Sequence, residues 1–98
     1  MLVRVDIPIA DQIVQVGHAC LEAGRRYMGS DEAPNLVLLG LASERQLLDA
    51  LGRLDARGIG YAVFREPDDQ MGYTAVCTEP LSAARGSAFQ RMRLWREK

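Results

Sequence analysis

Side chains that hold metals are scarce in this sequence. His18 is its single histidine, and its two cysteines, Cys20 and Cys77, belong to no Cys-x-x-Cys pair. A zinc site would have too few ligands, and each thiol lies in an apolar stretch where a free cysteine packs as a small hydrophobe. No metal is expected. No cofactor is expected either, because no Gly-x-Gly-x-x-Gly or Walker-type loop is present to cradle a nucleotide phosphate. Ser30, Ser43, Ser82 and Ser87 lack the strand–turn–helix setting of a nucleophile elbow, which argues against a serine hydrolase. No apolar run approaches the ~20 residues of a membrane span. Asp6, Pro8 and Asp11 interrupt what would have to be a charged-then-apolar leader, so the expected location is cytoplasmic, with no membrane partner. Lysine is almost absent: Lys98 is the only one.

What is present suits one globular domain over residues 1–98. At 98 residues there is no room for a second core, and 48% hydrophobic with 26% charged residues excludes the disordered class. A domain this small has apolar surface to spare, which makes a homodimer the expected state. The net charge of −1 conceals an asymmetry. Arg85, Arg91, Arg93, Arg96 and Lys98 stand against Glu97 alone, so the end of the basic segment 82–98 carries +4 and the remainder −5. A basic tail on an acidic body suits a polyanionic partner such as tRNA, although a solvated terminus reads the same way.

Hydrophobic periodicity orders the elements. Leu2 to Ile7 alternates as a strand and Pro8 ends it. Ile9, Ile13, Val16, Cys20, Ala23 and Tyr27 then form a stripe at helical period, widened by Val14, Leu21 and Met28. Gly17 and Gly24 lie between its rows, where a missing side chain lets a neighbouring element approach closely. The unbroken apolar run Asn35 to Leu41 reads as a buried interior strand. Ser43 with Gln46 is a capping box, Leu47, Leu48, Leu51 and Leu54 make an inner helical face, and Gly58 follows the helix end. Tyr61–Phe64 and Tyr73–Thr78 are two further strands around a polar loop. Residues 82–98 read as a final helix, against the strand-like alternation of Arg91-Met92-Arg93-Leu94. The expected fold is α/β: a single domain of order β-α-β-α-β-β-α, with a four-stranded mixed sheet between helices.

Three local motifs fall in this order. They are Arg4-Val5-Asp6-Ile7, Gln15-Val16-Gly17-His18-Ala19, and Thr74-Ala75-Val76-Cys77-Thr78-Glu79-Pro80. Together they resemble the Arg-x-Asp-Leu, Gln-x-x-His-Ala and Thr-x-x-Ala-x-Gly-Pro motifs of the type II peptidyl-tRNA hydrolases, across roughly residues 2–80. The resemblance implies a four-stranded mixed sheet with helices on both faces, frequent pairing into dimers, and hydrolysis of the ester joining a peptide to tRNA. It also implies a site built from a lysine at the start of the first helix, an aspartate after the third strand and a threonine beyond it. Here the lysine's place falls on Asp11, the aspartate's on Glu66, and the loop Glu66–Gly72 contains no threonine.

Two constellations carry candidate chemistry. Asp11, Gln15, His18 and Glu22 form a polar stripe on the first helix, in which His18 beside a carboxylate is a candidate general base. The same stripe is equally the solvated face of an amphipathic helix. Arg65-Glu66-Pro67-Asp68-Asp69 should lie beyond the carboxyl end of the third strand, where α/β sheets bind ligands, with Glu66 and Asp68 as catalytic carboxylates and Arg65 for a phosphate or oxyanion. Gln15, Arg65, Arg91, Arg93 and Arg96 are the candidate substrate-binding residues. Two functions remain open: a hydrolase of peptidyl-tRNA, and a non-catalytic RNA- or protein-binding module on the same fold.

Overall fold

The structure, a computed structural model, describes residues 1–27, 29, 36–66, 71–81, 89 and 91–96. Four strands, β1 (Leu2–Arg4), β2 (Leu39–Leu41), β3 (Tyr61–Glu66) and β4 (Gly72–Thr78), alternate with two helices, α1 (Ile9–Tyr27) and α2 (Glu44–Ala56). They form one mixed sheet of order β2-β1-β4-β3. β1 and β2 are parallel, while β4 is antiparallel to both β1 and β3. β1, β2 and β3 therefore share one direction, and their carboxyl ends lie together.

Strand alternation sends successive side chains to opposite faces, and each face is covered by one helix. Leu2, Leu39, Leu41 and Val76 pack with Leu47, Ala50 and Leu54 of α2. Val3 and Ala75 pack with Ala19 of α1. The expected α/β layering is present in this form. No helix among the described residues is long and apolar enough to cross a membrane.

The second helix follows its sequence signals closely. The Ser43 hydroxyl accepts from the Gln46 amide at 3.2 Å, and the Gln46 side chain reaches back to accept from Ala42 N at 2.9 Å. Gly58, at φ 66, takes the left-handed conformation just past the helix end. Leu47, Ala50 and Leu54 are buried and Leu51 half-buried, but Leu48 of the expected inner face is exposed.

Three expectations are corrected. β2 is an edge strand of the four, not an interior one; Leu36 and Val37 of the apolar run are exposed. Its outer side is met by the tail, where Gly40 N donates to Arg93 O at 3.0 Å and Trp95 N to Leu38 O at 2.9 Å. Leu39 and Leu94 thus form an antiparallel bridge, so after a tight turn closed by Met92 N to Phe89 O at 3.0 Å, residues 93–95 run along the β2 edge and do not continue as an α-helix. Backbone pairing to an open strand edge outweighed a weak helical pattern broken by Gly86. Residues 82–88, 90, 97 and 98 of that expected helix lie outside the described residues.

The third correction is the rotation of α1. Its buried residues are Gln12, Gln15, Ala19 and Ala23, whereas Ile9, Ile13, Val14 and Leu21 of the apolar stripe are exposed. Val16, Cys20 and Tyr27 are half-buried. Two short alanines let the helix lie close to the sheet. Two glutamines supply amides to polar groups that would otherwise be buried alone.

Candidate functional site

At the carboxyl end of β3, Glu66 projects to the α1 side of the sheet. The Gln15 side-chain nitrogen donates to Glu66 Oε2 at 3.0 Å, and the Thr74 hydroxyl lies 3.0 Å from Gln15 Oε1 and 3.2 Å from the Phe64 carbonyl. The amide NH2 turned to Glu66 leaves Gln15 Oε1 as an acceptor toward Thr74, whose single hydroxyl proton has that oxygen and the Phe64 carbonyl as its two acceptors. Gln15 is 2% exposed and Thr74 0%, so this chain is set inside the protein and presents one carboxylate at its end.

A β-bulge brings Thr74 there. The register passes from Phe64↔Ala75 to Arg65↔Tyr73, leaving Thr74 opposite no residue of β3. Regular alternation would send Thr74 to the face opposite Ala75. The extra residue re-aims it to the α1 side.

The remaining residues of the helical stripe flank this cluster. Asp11, half-buried, lies one turn before Gln15 on α1. His18 lies one turn after, with its ring stacked on Phe64 at 4.5 Å between centroids and 6° between planes. Glu22 is held by Arg25 and Arg26, whose hydrogen bonds lower its pKa below the ordinary carboxylate value. The stripe is therefore neither wholly solvated nor wholly functional: its middle, Gln15 and His18, contacts β3.

Arg65 does not join Glu66. It is exposed on the other face, its guanidinium 5.9 Å from the centroid of the Tyr73 ring. That face holds a second polar group. Arg4 grips Asp6 through two hydrogen bonds of 2.9 Å and donates to the carbonyls of Met71 and Tyr73. The hydrogen bonding of Arg4 to Asp6, more than the charge of Asp6, raises the Arg4 pKa above its ordinary value. Glu44, in the first turn of α2, accepts from Tyr73 N at 2.8 Å. A Cβ on Gly72 (φ 74) would run into that carboxylate. Arg4, Asp6 and Glu44 thus fix the entry to β4, and so fix Thr74.

Arg91, Arg93 and Arg96 are exposed along the β2 side of the sheet, at the opposite edge from Glu66. Three strand spacings separate the edges, about 14 Å. Trp95 turns back onto the α1 side, where its indole N–H donates to Gln12 Oε1 at 2.7 Å. The Gln12 nitrogen in turn donates to Ile7 O at 2.8 Å. Asp68 lies outside the described residues. Among the described residues no group of three His, Cys, Asp or Glu side chains could hold a metal.

Sequence reasoning missed Glu44 and Gln12 as parts of this end of the molecule, and read Arg4 and Thr74 only as members of motifs. Arg4 and Asp6 carried a signal, because i and i+2 on a strand share a face. Gln12 carried none, since a polar residue on a helix is most often solvent-facing, whereas Gln15 was marked by its motif but not as a buried residue. Compared with models of known protein families and with the sequences of curated proteins, the chain matches none.

Proposed function

We propose that this chain is a peptidyl-tRNA hydrolase-like protein that cleaves the ester between a peptide and its carrier tRNA. The observation that carries the reading is the buried Thr74–Gln15 relay presenting the Glu66 carboxylate at the carboxyl end of β3. The element order and the helix on each side of a four-stranded mixed sheet support the corresponding fold. In this reading Glu66 takes a proton from water as the water oxygen attacks the ester carbonyl. The bond from carbonyl carbon to ribose oxygen then breaks, and the proton passes to the departing ribose oxygen, from Glu66 or through His18. Asp68 is a second carboxylate candidate in the adjoining loop. Gln15 positions Glu66 and is not consumed. Arg65, Arg91, Arg93 and Arg96 are assigned to phosphates, because all four are exposed away from Glu66. Homodimeric assembly and a cytoplasmic location belong to the same proposal.

A second reading, a non-catalytic RNA-binding module, draws on one feature. Asp11 occupies the lysine's place at the start of α1, and Lys98 is the sole lysine. Incubating the purified chain with an N-blocked aminoacyl-tRNA separates the two. Ester cleavage that slows by at least ~10²-fold in Glu66→Gln, with folding intact, is expected. No cleavage, with tRNA binding whose log–log salt slope flattens by roughly two to three units when Arg91, Arg93 and Arg96 are removed, would establish the module instead. Neither cleavage nor binding would remove both.

A further inference from the structure

Both cysteines of the sequence, Cys20 and Cys77, lie on the seam between α1 and β4. Cys20 follows the half-buried Val16 by one turn and stands between the buried Ala19 and Ala23, so it belongs to the inner side of the helix. Cys77 lies two residues beyond Ala75, and alternation returns it to the same α1 side of the sheet. Both side chains pack on one cluster, made of Met1, Val3, Ala19 and Ala75.

Their positions along the two elements agree. β1 and β2 are parallel, so α1, which connects them, runs back against both, in the direction of β4. Gln15 of α1 and Thr74 of β4 are tied by a 3.0 Å hydrogen bond. From that tie, the helix advances about 7.5 Å to Cys20 and the strand about 10 Å to Cys77, a mismatch smaller than one strand residue. Alanine lines the seam at this level: Ala62, the strand partner of Cys77, is 1% exposed and Ala23 4%. Short side chains let the helix settle close to the sheet, and a disulfide needs about 4.4–6.8 Å between its Cα atoms. The two thiols are near enough for the charge of one to act on the other and for a weak thiol–thiol hydrogen bond.

We propose that Cys20 and Cys77 form a redox-active dithiol, which closes into a disulfide by exchange with a small-molecule disulfide of the glutathione class. Both thiols are free and half-buried, within reach of such a molecule. In the first step the Cys20 thiolate attacks one sulfur of the small disulfide, whose S–S bond breaks and releases one thiolate. In the second the Cys77 thiolate attacks the Cys20 sulfur of the mixed disulfide and expels the other. The protons lost by Cys20 and Cys77 end on the two released thiols; the protein gives up two electrons and the small disulfide gains them. Cys20 attacks first, because burial, and after it the charge of Cys20, push the Cys77 thiol above its ordinary value and leave less thiolate there at neutral pH. The new bond joins the helix that carries Gln15 to the strand that carries Thr74, so the oxidised chain holds both elements of the relay together.

The proposal stands whether or not the chain hydrolyses an ester. Incubating the reduced full chain with oxidised glutathione under native conditions tests it. Wild type is expected to carry a Cys20–Cys77 disulfide within one chain, two hydrogens lighter by mass and closed to iodoacetamide until dithiothreitol reopens it. Cys77→Ala should stop at a stable glutathione adduct on Cys20, and Cys20→Ala should react at Cys77 at least about 10-fold more slowly. Oxidised wild type should melt about 5 °C or more above the reduced form, as a cross-link of native geometry does. Wild type that ends with two glutathione adducts, with a disulfide between two chains, or with both thiols still open to iodoacetamide overturns the proposal, and this measurement uses no variant. An oxidised form that melts below the reduced one also overturns it, since the bond would then distort the seam. Equal rates in Cys20→Ala and Cys77→Ala overturn the order of attack.

Discussion

The two helices of this domain obey opposite rules. α2 turns Leu47, Ala50 and Leu54 inward and leaves Arg45, Asp49, Arg53 and Asp55 exposed, and its start is closed by Ser43 and Gln46. α1 turns two glutamines inward and Ile13, Val14 and Leu21 outward. The buried side of α2 is wholly apolar, with directional bonds to the sheet only at its two ends, from Tyr73 N to Glu44 and from the Tyr61 hydroxyl to Asp55. α1 is held by small-residue contact and by amides that must meet particular partners: Gln12 with Trp95 and the Ile7 carbonyl, Gln15 with Thr74 and Glu66. A helix fixed by directional bonds suits a site whose residues must be positioned, and its outward apolar residues Ile13, Val14 and Leu21 stay exposed.

The contrast breaks most visibly under leucine truncation. Leu47→Ala on α2, fully buried, should cost about 2–5 kcal/mol in denaturant unfolding. Leu21→Ala on α1 should stay within about 0.5 kcal/mol under conditions where the protein is monomeric. Equal costs would mean that α1 packs as α2 does.

Breaking the relay should come next in size. Gln15→Leu should cost about 1–3 kcal/mol, because Thr74 and Glu66 lose their buried partner. Adding Thr74→Val should cost less than the two single changes combined, since the hydroxyl no longer needs an acceptor. Additive losses in the four-variant cycle would show that Gln15 and Thr74 act independently.

The docking of the tail is testable at one atom. Trp95→Phe keeps an aromatic ring but removes the N–H that bonds Gln12, and should cost about 1–2 kcal/mol. It should also speed amide exchange at Trp95 and Gly40, the two donors of the tail pairing. Unchanged exchange would mean that the strand pairing holds without the indole.

The smallest expected effect belongs to the α2 cap. Ser43→Ala should cost about 1 kcal/mol by loss of the hydroxyl that accepts from Gln46 N, and Ser43→Asp should restore it. The same pair of substitutions should leave the Gln15–Glu66 relay intact, which an unchanged Gln15 side-chain amide NMR signal would report.

Sequence by itself determined the elements whose signals are local. α2 was legible from the capping box, the leucine spacing and Gly58, and β3 and β4 were placed within two residues of their ends. Glu66 was legible as a carboxylate at the end of a strand, and β4's threonine as part of a motif. Tertiary structure decided what depends on distant partners. The apolar stripe of α1 is only partly inward: Ala23 is buried and Val16, Cys20 and Tyr27 half-buried, while Gln12 and Gln15 take the inner positions with Trp95, Glu66 and Thr74 as partners. The apolar run at Leu36–Leu41 became an outer strand because Arg93 and Trp95 pair with its free side. Thr74 reached the α1 side through a one-residue bulge, which no periodicity records. In each case the decisive energy lies in a directional bond between residues far apart in the chain, and a pattern of neighbours along the chain carries no information about such bonds.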